Sequence, residues 1–306
     1  MKTRYSKFLV GLALGVTAMS ASAAPLRVLY FTKSAGYEHS AIKRTDGKPS
    51  YSENVLTKLG EKNEIEFTFS KDGSLFSPEY LARFDAVMFY TSGDLSSIGT
   101  DGQPAITEAG QKALYDYVAG GNGFIGLHSC SDTWHTNELG GGNNPIRLPR
   151  YKLYGEAASP FVKFLGGEFI RHGPQQVAKA IVVDAKFPGF GDIGAELNVK
   201  EEWYTLKDFA ANDHVLLVMQ TTGMEGGDYA RAPYPLAWAR PFGKGRVAYN
   251  AMGHREDIWD SAAYQSMVVG LIKWAAGKVD ADLTPDLEKV SPGYDKLQSP
   301  PPDVKQ

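Results

Sequence analysis

The sequence predicts an α/β fold with a mostly parallel sheet and helices on both faces. Three observations carry that expectation. Short apolar runs of strand length recur along the chain, segments with helical apolar spacing separate them, and the early runs end in small or polar residues. Regular alternation of this kind is how strand–helix–strand units read in sequence.

Leu26 to Phe31 (LRVLYF) is a buried strand that ends at Thr32-Lys33-Ser34. Tyr51 to Leu59 places Val55, Leu56 and Leu59 on one helical face and is expected to stop at Gly60. Ile65 to Phe69 alternates as a strand. Ala86 to Tyr90 (AVMFY) is the next buried strand, ending at Thr91-Ser92-Gly93-Asp94. Thr107 caps a helix with Leu114, Tyr117 and Val118 on its inner face, closed by Gly120-Gly121. Phe124 to Leu127 is a strand running into His128. Asn137 to Arg150 is a Gly/Asn/Pro-rich loop long enough for a functional lid. Later strands are expected at Ala180 to Val183, Val215 to Met219, Leu236 to Ala239 and Val247 to Ala251, the last two joined by the hairpin turn Gly243-Lys244-Gly245. A helix from about Asp260 to Ala276 carries Tyr264, Met267, Val268, Leu271 and Trp274 on one face and closes at Gly277.

At 306 residues, with no internal repeat and no linker, the chain reads as one domain over 25–280, followed by a loose Pro-rich tail over 281–306. Hydrophobic residues make up 43% and charged residues 22%, which excludes a disordered or polytopic membrane protein. With 32 Lys+Arg against 35 Asp+Glu there is no basic excess, so no nucleic-acid partner is expected. Residues 1–23 read as a signal peptide: Lys2, Arg4 and Lys7 form the positive region, Phe8 to Met19 is apolar, and Ala21-Ser22-Ala23 fits the cleavage site. An anchor helix is the competing reading, but the apolar run falls short of the ~20 residues that span a bilayer. Cleavage removes three cations and takes the formal charge from -3 to -6. The expected product is periplasmic or secreted, with no stable membrane anchor. The one cysteine, Cys130, excludes an internal disulfide and is expected to be buried.

In open parallel sheets, ligands sit beyond the carboxyl ends of the strands. That rule selects Lys33 and the Tyr37-Glu38-His39 loop, then Thr91 to Asp94, then His128, Asp132, Trp134 and His135; two further polar clusters lie outside that core, Arg171-His172-Gly173 and Gly253 to Asp257 after the last strand. Five of the 6 histidines fall in such polar clusters, His172 among them; His214 starts a strand and reads as structural. An imidazole near a strand end has an ordinary reading as a hydrogen-bonded structural residue, and His135 suits it best. His39, His128, His172 and His254 are the candidate metal ligands, because imidazoles move protons near neutral pH and, when neutral, hold a divalent metal such as zinc. His128 and His254 are also candidate catalytic groups, with Asp132 and Glu202 as carboxylates that orient imidazoles or take sugar hydroxyls. The pair Glu201-Glu202 beside Trp203-Tyr204 is either a solvated strand edge or a sugar-binding set. Lys33, Tyr37, Trp134, Trp203, Tyr204 and Arg255 are the candidate substrate contacts. The match Gly121 to Gly126 leads into a strand rather than out of one, so no nucleotide cofactor is expected.

The segments LRVLYFTKSAGYEHSAI, DAVMFYTSGDL, GGNGFIGLHSCSDTWH, LGGEFIRHGP, EEWYTL, YPLAWARPFGKGRVAYNAMGHREDIWD and IKWAAG occur in that order. In them the chain resembles the ThuA-like (trehalose utilisation) family over nearly the whole mature length. The family usually has His-Pro where this chain has His172-Gly173-Pro174. The resemblance implies a flavodoxin-like, class I glutamine amidotransferase-like three-layer sandwich and an enzyme of carbohydrate utilisation, acting on a disaccharide, glycoside or keto-sugar derivative; the signal peptide makes it an exported one. Amidotransferases of this fold carry a Cys nucleophile in a sharp turn after a strand. His128 stands at the matching place and Cys130 beyond it, so the resemblance does not extend to glutamine hydrolysis. Two other readings stay open at this point: a sugar-binding protein without catalysis, using Trp134, Trp203, Tyr204 and Trp259 as stacking platforms, and a Cys130-dependent hydrolase.

Overall fold

A computed structural model describes Met1, residues 24–136, residues 148–300 and Pro302. The expected signal peptide and most of the expected lid loop, residues 137–147, lie outside the described residues. The strands, in order, are β1 Leu26–Phe31, β2 Ile65–Ser70, β3 Ala86–Phe89, β4 Gly123–Leu127, β5 Glu168–His172, β6 Gln176–Val182, β7 Glu196–Glu201, β8 Tyr204–Lys207, β9 His214–Gln220, β10 Tyr234–Phe242 and β11 Gly245–Asn250. The α-helices are α1 Tyr51–Asn63, α2 Pro78–Leu81, α3 Glu108–Ala119, α4 Pro160–Leu165, α5 Glu256–Asp260, α6 Ala262–Ala275 and α7 Leu287–Val290.

Nine strands form one sheet in the order β2-β1-β3-β4-β11-β10-β9-β6-β7. The first five are mutually parallel, and their order reverses at β1, the flavodoxin-like pattern that opens a ligand crevice at the strand ends. Strand β10 returns antiparallel to β11, and β9, β6 and β7 continue antiparallel beyond it. The fold is therefore α/β and parallel-leaning, as the sequence predicts. Strands β5 and β8 pair in a separate two-stranded sheet, and the chain passes from β7 to β8 through Glu202-Trp203.

Neighbouring residues on a strand point to opposite faces. Phe124 packs on Phe164 of α4, while a side chain on Gly123 would strike Ala275 of α6. So α4, with α3 beside it through Tyr115–Phe164, covers one face, and α6, in contact with α1 and α5, covers the other. Local signals set the helix ends. Ser50 and Glu53 form a reciprocal capping box on α1, and Thr107 accepts from Gly110 at the start of α3. The stop expected at Gly60 is not observed. Helix α1 runs on to Asn63, and Gly60 is there because a Cβ would collide with the Ile65 carbonyl oxygen.

The segment expected to be a loose tail is another correction. Residues 287–290 form α7, Leu287 packs with Val215 and Val218, and Ser291 and Gln298 are buried. Polar anchors explain the docking. Asp286 accepts from the Val215 amide, His214 Nδ1 donates to the Thr284 carbonyl, and Arg231 donates to the Tyr294 carbonyl. Among the described residues no helix is long and apolar enough to cross a membrane.

Candidate metal centre

Three turns at the carboxyl ends of parallel strands each deliver one imidazole. His39 comes from the loop after β1, His128 directly follows β4, and His254 follows β11. Their rings lie at centroid separations of 4.8 Å (His39–His128), 5.1 Å (His39–His254) and 5.3 Å (His128–His254). The strand-end rule thus brings all three together. The fourth member is Glu202, from the β7–β8 crossing. One ligand-type atom from each of His39, His128, Glu202 and His254 lies within 4.8 Å of the others, and the group can hold a metal ion.

Backbone strain and hydrogen bonds aim these side chains. His128 has φ 44°, a left-handed value that costs energy in a non-glycine residue and marks a site the surroundings hold in place. Its Nδ1 donates to the Ala251 carbonyl at 2.8 Å, so Nε2 is the nitrogen facing Glu202 Oε2 at 3.5 Å. His39 Nε2 lies 3.8 Å from the same oxygen and 3.4 Å from Tyr204 Oη. His254 turns Nε2 outward, 2.9 Å from the Gln175 amide, and Nδ1 inward, 2.9 Å from Glu202 Oε2. That last distance suits a hydrogen bond, but the direction does not: His254 Nδ1 and His128 Nε2 are buried without a directed hydrogen-bond partner among the described residues. Nitrogens aimed at a common point rather than at one another are the arrangement of a ligand set. Gly253 has φ 119°, and a Cβ there would run into Tyr264 Oη, so the turn that presents His254 requires glycine.

The electrostatics agree. Burial lowers the pKa of His39, and it holds His128 down to about 3 against the opposing pull of Glu202. Burial alone would lift Glu202, but contacts with His128, His254 and His39 hold it far below the usual carboxylate range. Burial opposes protonation of His254, yet the Glu202 contact raises its pKa. Near neutral pH the site therefore offers neutral imidazoles at His39 and His128 and an ionised carboxylate, the protonation state metal ligation needs. Glu201, fully buried behind them, has its pKa raised to about 7 by burial, although it accepts the Gly253 and Glu202 amides.

The family model for ThuA, described as trehalose utilisation, matches residues 27–275. The chain belongs to the ThuA family. A putative ThuA-like protein from Bacteroides uniformis superposes with TM-score 0.58 at 18% identity, covering 85% of this chain and 95% of its own. One from Parabacteroides merdae gives 0.55 at 14%, covering 92% and 99%. A cytoplasmic protein from Salmonella typhimurium gives 0.51 at 14%, covering 81% and 98%. At these identities the likeness speaks for the fold alone. No curated protein matches the chain. Membership in ThuA points to a carbohydrate-related role.

Within this ThuA protein the other candidate residues divide. His172 is not in the ligand group, and Glu202 takes the place expected for it. The imidazole of His172 lies on the far side of that carboxylate, Nδ1 3.5 Å from Oε1 and donating to the Gly173 carbonyl. Its side chain is 41% exposed. Asp132 orients an imidazole, but that of His135, and also accepts from Arg150. His135 is held on its other nitrogen by Glu168, so its ordinary structural reading fits.

Tyr204 is buried beneath the site, 3% exposed, its ring 4.2 Å from that of His128, so it offers a substrate no stacking face. Tyr37 is 67% exposed and sits edge-on to His39 at the rim. Arg255 pairs with Asp257 and donates to Gln175, the residue that meets His254. The remaining substrate candidates are corrected by burial. Lys33 is fully buried and donates to the Gln103 carbonyl. Trp203 is 1% exposed with Nε1 on the Gln176 carbonyl, Trp134 is buried with Nε1 on Ser96 Oγ, and Trp259 is also buried. Cys130 is buried, and burial pushes its thiol well above the ordinary range, which disfavours a nucleophilic thiolate. Gln175 escaped the sequence reading. Its one signal was contiguity with the His172 cluster.

Proposed function

We propose that this ThuA protein is an exported enzyme that processes a disaccharide, glycoside or keto-sugar derivative at a divalent metal held by His39, His128, Glu202 and His254. The supporting observation is the buried convergence of three imidazoles and one carboxylate on a common centre. Three nitrogens and one oxygen suit zinc or another first-row divalent ion, whereas calcium and magnesium take oxygens. Bound there, such an ion supplies Lewis acidity toward a sugar carbonyl or hydroxyl oxygen.

The chain's own groups supply the rest. Glu202 balances charge, and its second oxygen faces His172 at 3.5 Å. His172, half open to solvent beside the ligand group, is placed to move a proton between substrate and water. Tyr37 offers its ring as a stacking face at the rim. The platforms a purely sugar-binding role would need, Trp134, Trp203, Tyr204 and Trp259, are inside the protein. Export is proposed on the basic and apolar N-terminal residues and the Ala21-Ser22-Ala23 site.

The test is metal analysis of untagged protein together with turnover of a panel of disaccharides and 3-keto-glycosides, before and after chelation. One metal per chain, with turnover lost on chelation and regained on adding zinc, is the expected result. Turnover that survives complete metal removal refutes the metal site. Sugar binding with no product from any panel member refutes the enzyme.

A further inference from the structure

Glu201 lies directly behind the ligand group and is fully buried. Its Oε1 accepts from the Glu202 amide at 2.7 Å, and its Oε2 accepts from the Gly253 amide at 3.0 Å. The Gly253 amide lies 52 residues along the chain from Glu201, whereas the Glu202 amide is next to it. One amide belongs to the ligand Glu202, and the other immediately precedes the ligand His254. We propose that Glu201 is a positioning residue for the metal centre, clamping these two backbones so that Glu202 Oε2 and His254 Nδ1 meet at the common point. This rests on the metal reading above.

The choice of residue fits the task. A buried carboxylate is costly and persists only where its lone pairs are used. Here two inward-facing N–H donors use them, and only a carboxylate presents two acceptors and no donor. An amide at the same position would turn its NH2 against one of the two N–H groups. Aspartate, one methylene shorter, would lose the reach to Gly253. The rest of the turn is already pinned on other sides: Tyr90 Oη and Trp259 Nε1 donate to the Gly253 carbonyl at 3.1 and 2.8 Å, and Tyr264 Oη donates to the Met252 carbonyl at 3.1 Å. Those bonds tie the turn to the core. Glu201 ties it to Glu202.

The test uses the full chain as wild type and as Glu201→Gln. Zinc affinity is measured by chelator competition, and the visible absorption of the cobalt-loaded protein reports ligand geometry. Outer partners of metal ligands are worth about 10- to 100-fold in affinity. Glu201→Gln is therefore expected to bind zinc about 10- to 100-fold more weakly, with an altered cobalt spectrum and an unchanged circular dichroism spectrum of the metal-free protein. Wild-type affinity and spectrum in that variant overturn the positioning role while leaving the metal reading intact. Failure of the wild type to bind either ion overturns the metal reading and this inference with it. If Glu201→Gln does not fold, amide exchange in the wild type decides. Protection at Glu202 and Gly253 that deepens on adding zinc supports the clamp, and exchange at the rate of exposed amides overturns it.

Discussion

Glu202→Gln separates two accounts of the His/Glu cluster, which part on what happens to the metal. If the carboxylate is a structural ion-pair partner, removing its charge breaks a buried pair. That costs about 3–5 kcal/mol of stability whether or not metal is present. If it is also a metal ligand, the metal-free protein bears a similar cost, because contacts with His128, His254 and His39 hold its carboxyl far below the usual carboxylate range and its charge therefore stabilises the fold.

Metal affinity should fall steeply. Two unit charges ~4 Å apart at an effective dielectric near 20 interact by about 4 kcal/mol, a divalent ion with one carboxylate by about twice that, and tenfold in binding is 1.4 kcal/mol. Loss of the carboxylate is therefore expected to weaken a divalent ion by at least roughly a thousandfold. Thermal unfolding with and without chelator, beside metal content per chain, reads both quantities at once. A variant that keeps one metal per chain at wild-type affinity refutes the ligand assignment.

Three further outcomes follow from the charges and the aromatic residues. Glu168 is buried between His135 and Lys207, and although burial opposes it, these partners hold its pKa at about 2 against an ordinary 4.5. A depressed carboxylate stabilises the fold above its unfolded pKa. About 3 kcal/mol is thus expected to be lost as pH falls from about 5 to 2, and urea unfolding of wild type against Glu168→Gln should show that difference; parallel pH profiles would contradict it. His214 has a raised pKa: burial opposes the shift, while the Thr284 carbonyl, Asp184 and Asp286 drive it. A raised histidine stabilises while protonated, so docking of the 281–291 segment should loosen as pH rises through the folded pKa. Proteolysis after residue 280 should then accelerate at alkaline pH in wild type but not in His214→Ala, and equal pH dependence in both would defeat the idea. Trp203→Phe removes a buried hydrogen bond and some volume, so it should cost about 1–2 kcal/mol by thermal unfolding. Tyr37→Ala should leave stability within ~0.5 kcal/mol and weaken substrate; the reverse pattern would restore Trp203 as a substrate contact.

The inner parallel strands were legible because they are buried on both faces and read as near-continuous apolar runs, as LRVLYF and AVMF do. The antiparallel extension was harder. Strand β7 reads ELNVKE and β8 only YTLK, so neither shows a strong period. The three imidazoles were legible because a topological rule places strand ends in one crevice, whatever their separation in sequence. Exchanging His172 for Glu202 as the fourth ligand was not legible. Both residues sit in the region where β5 pairs with β8, and which one turns inward is decided by the crossing from β7, a tertiary fact. Exposure of tryptophan is likewise decided late. Trp203 and Tyr204 look like stacking faces beside two carboxylates in sequence, yet both are buried, the phenol beneath the histidines.

His128 shows how this fold and this site are related. The resemblance places His128 where amidotransferases of this fold carry a Cys nucleophile in a sharp turn after a strand. Here the turn has φ 44°, and the side chain is an imidazole whose Nδ1 is spent on Ala251 and whose Nε2 is buried toward Glu202. A nucleophile must reach substrate, and His128 is fully buried. A ligand need reach only the metal, so burial that would disable a nucleophile suits a ligand. Cys130, two residues on, has no route to the crevice, and burial holds its thiol protonated. His128→Ala should therefore abolish metal retention along with turnover, whereas Cys130→Ala should leave both in place. If Cys130→Ala stops turnover while metal content is unchanged, the elbow still serves a thiol and the assignment of His128 as ligand rather than substitute nucleophile is wrong.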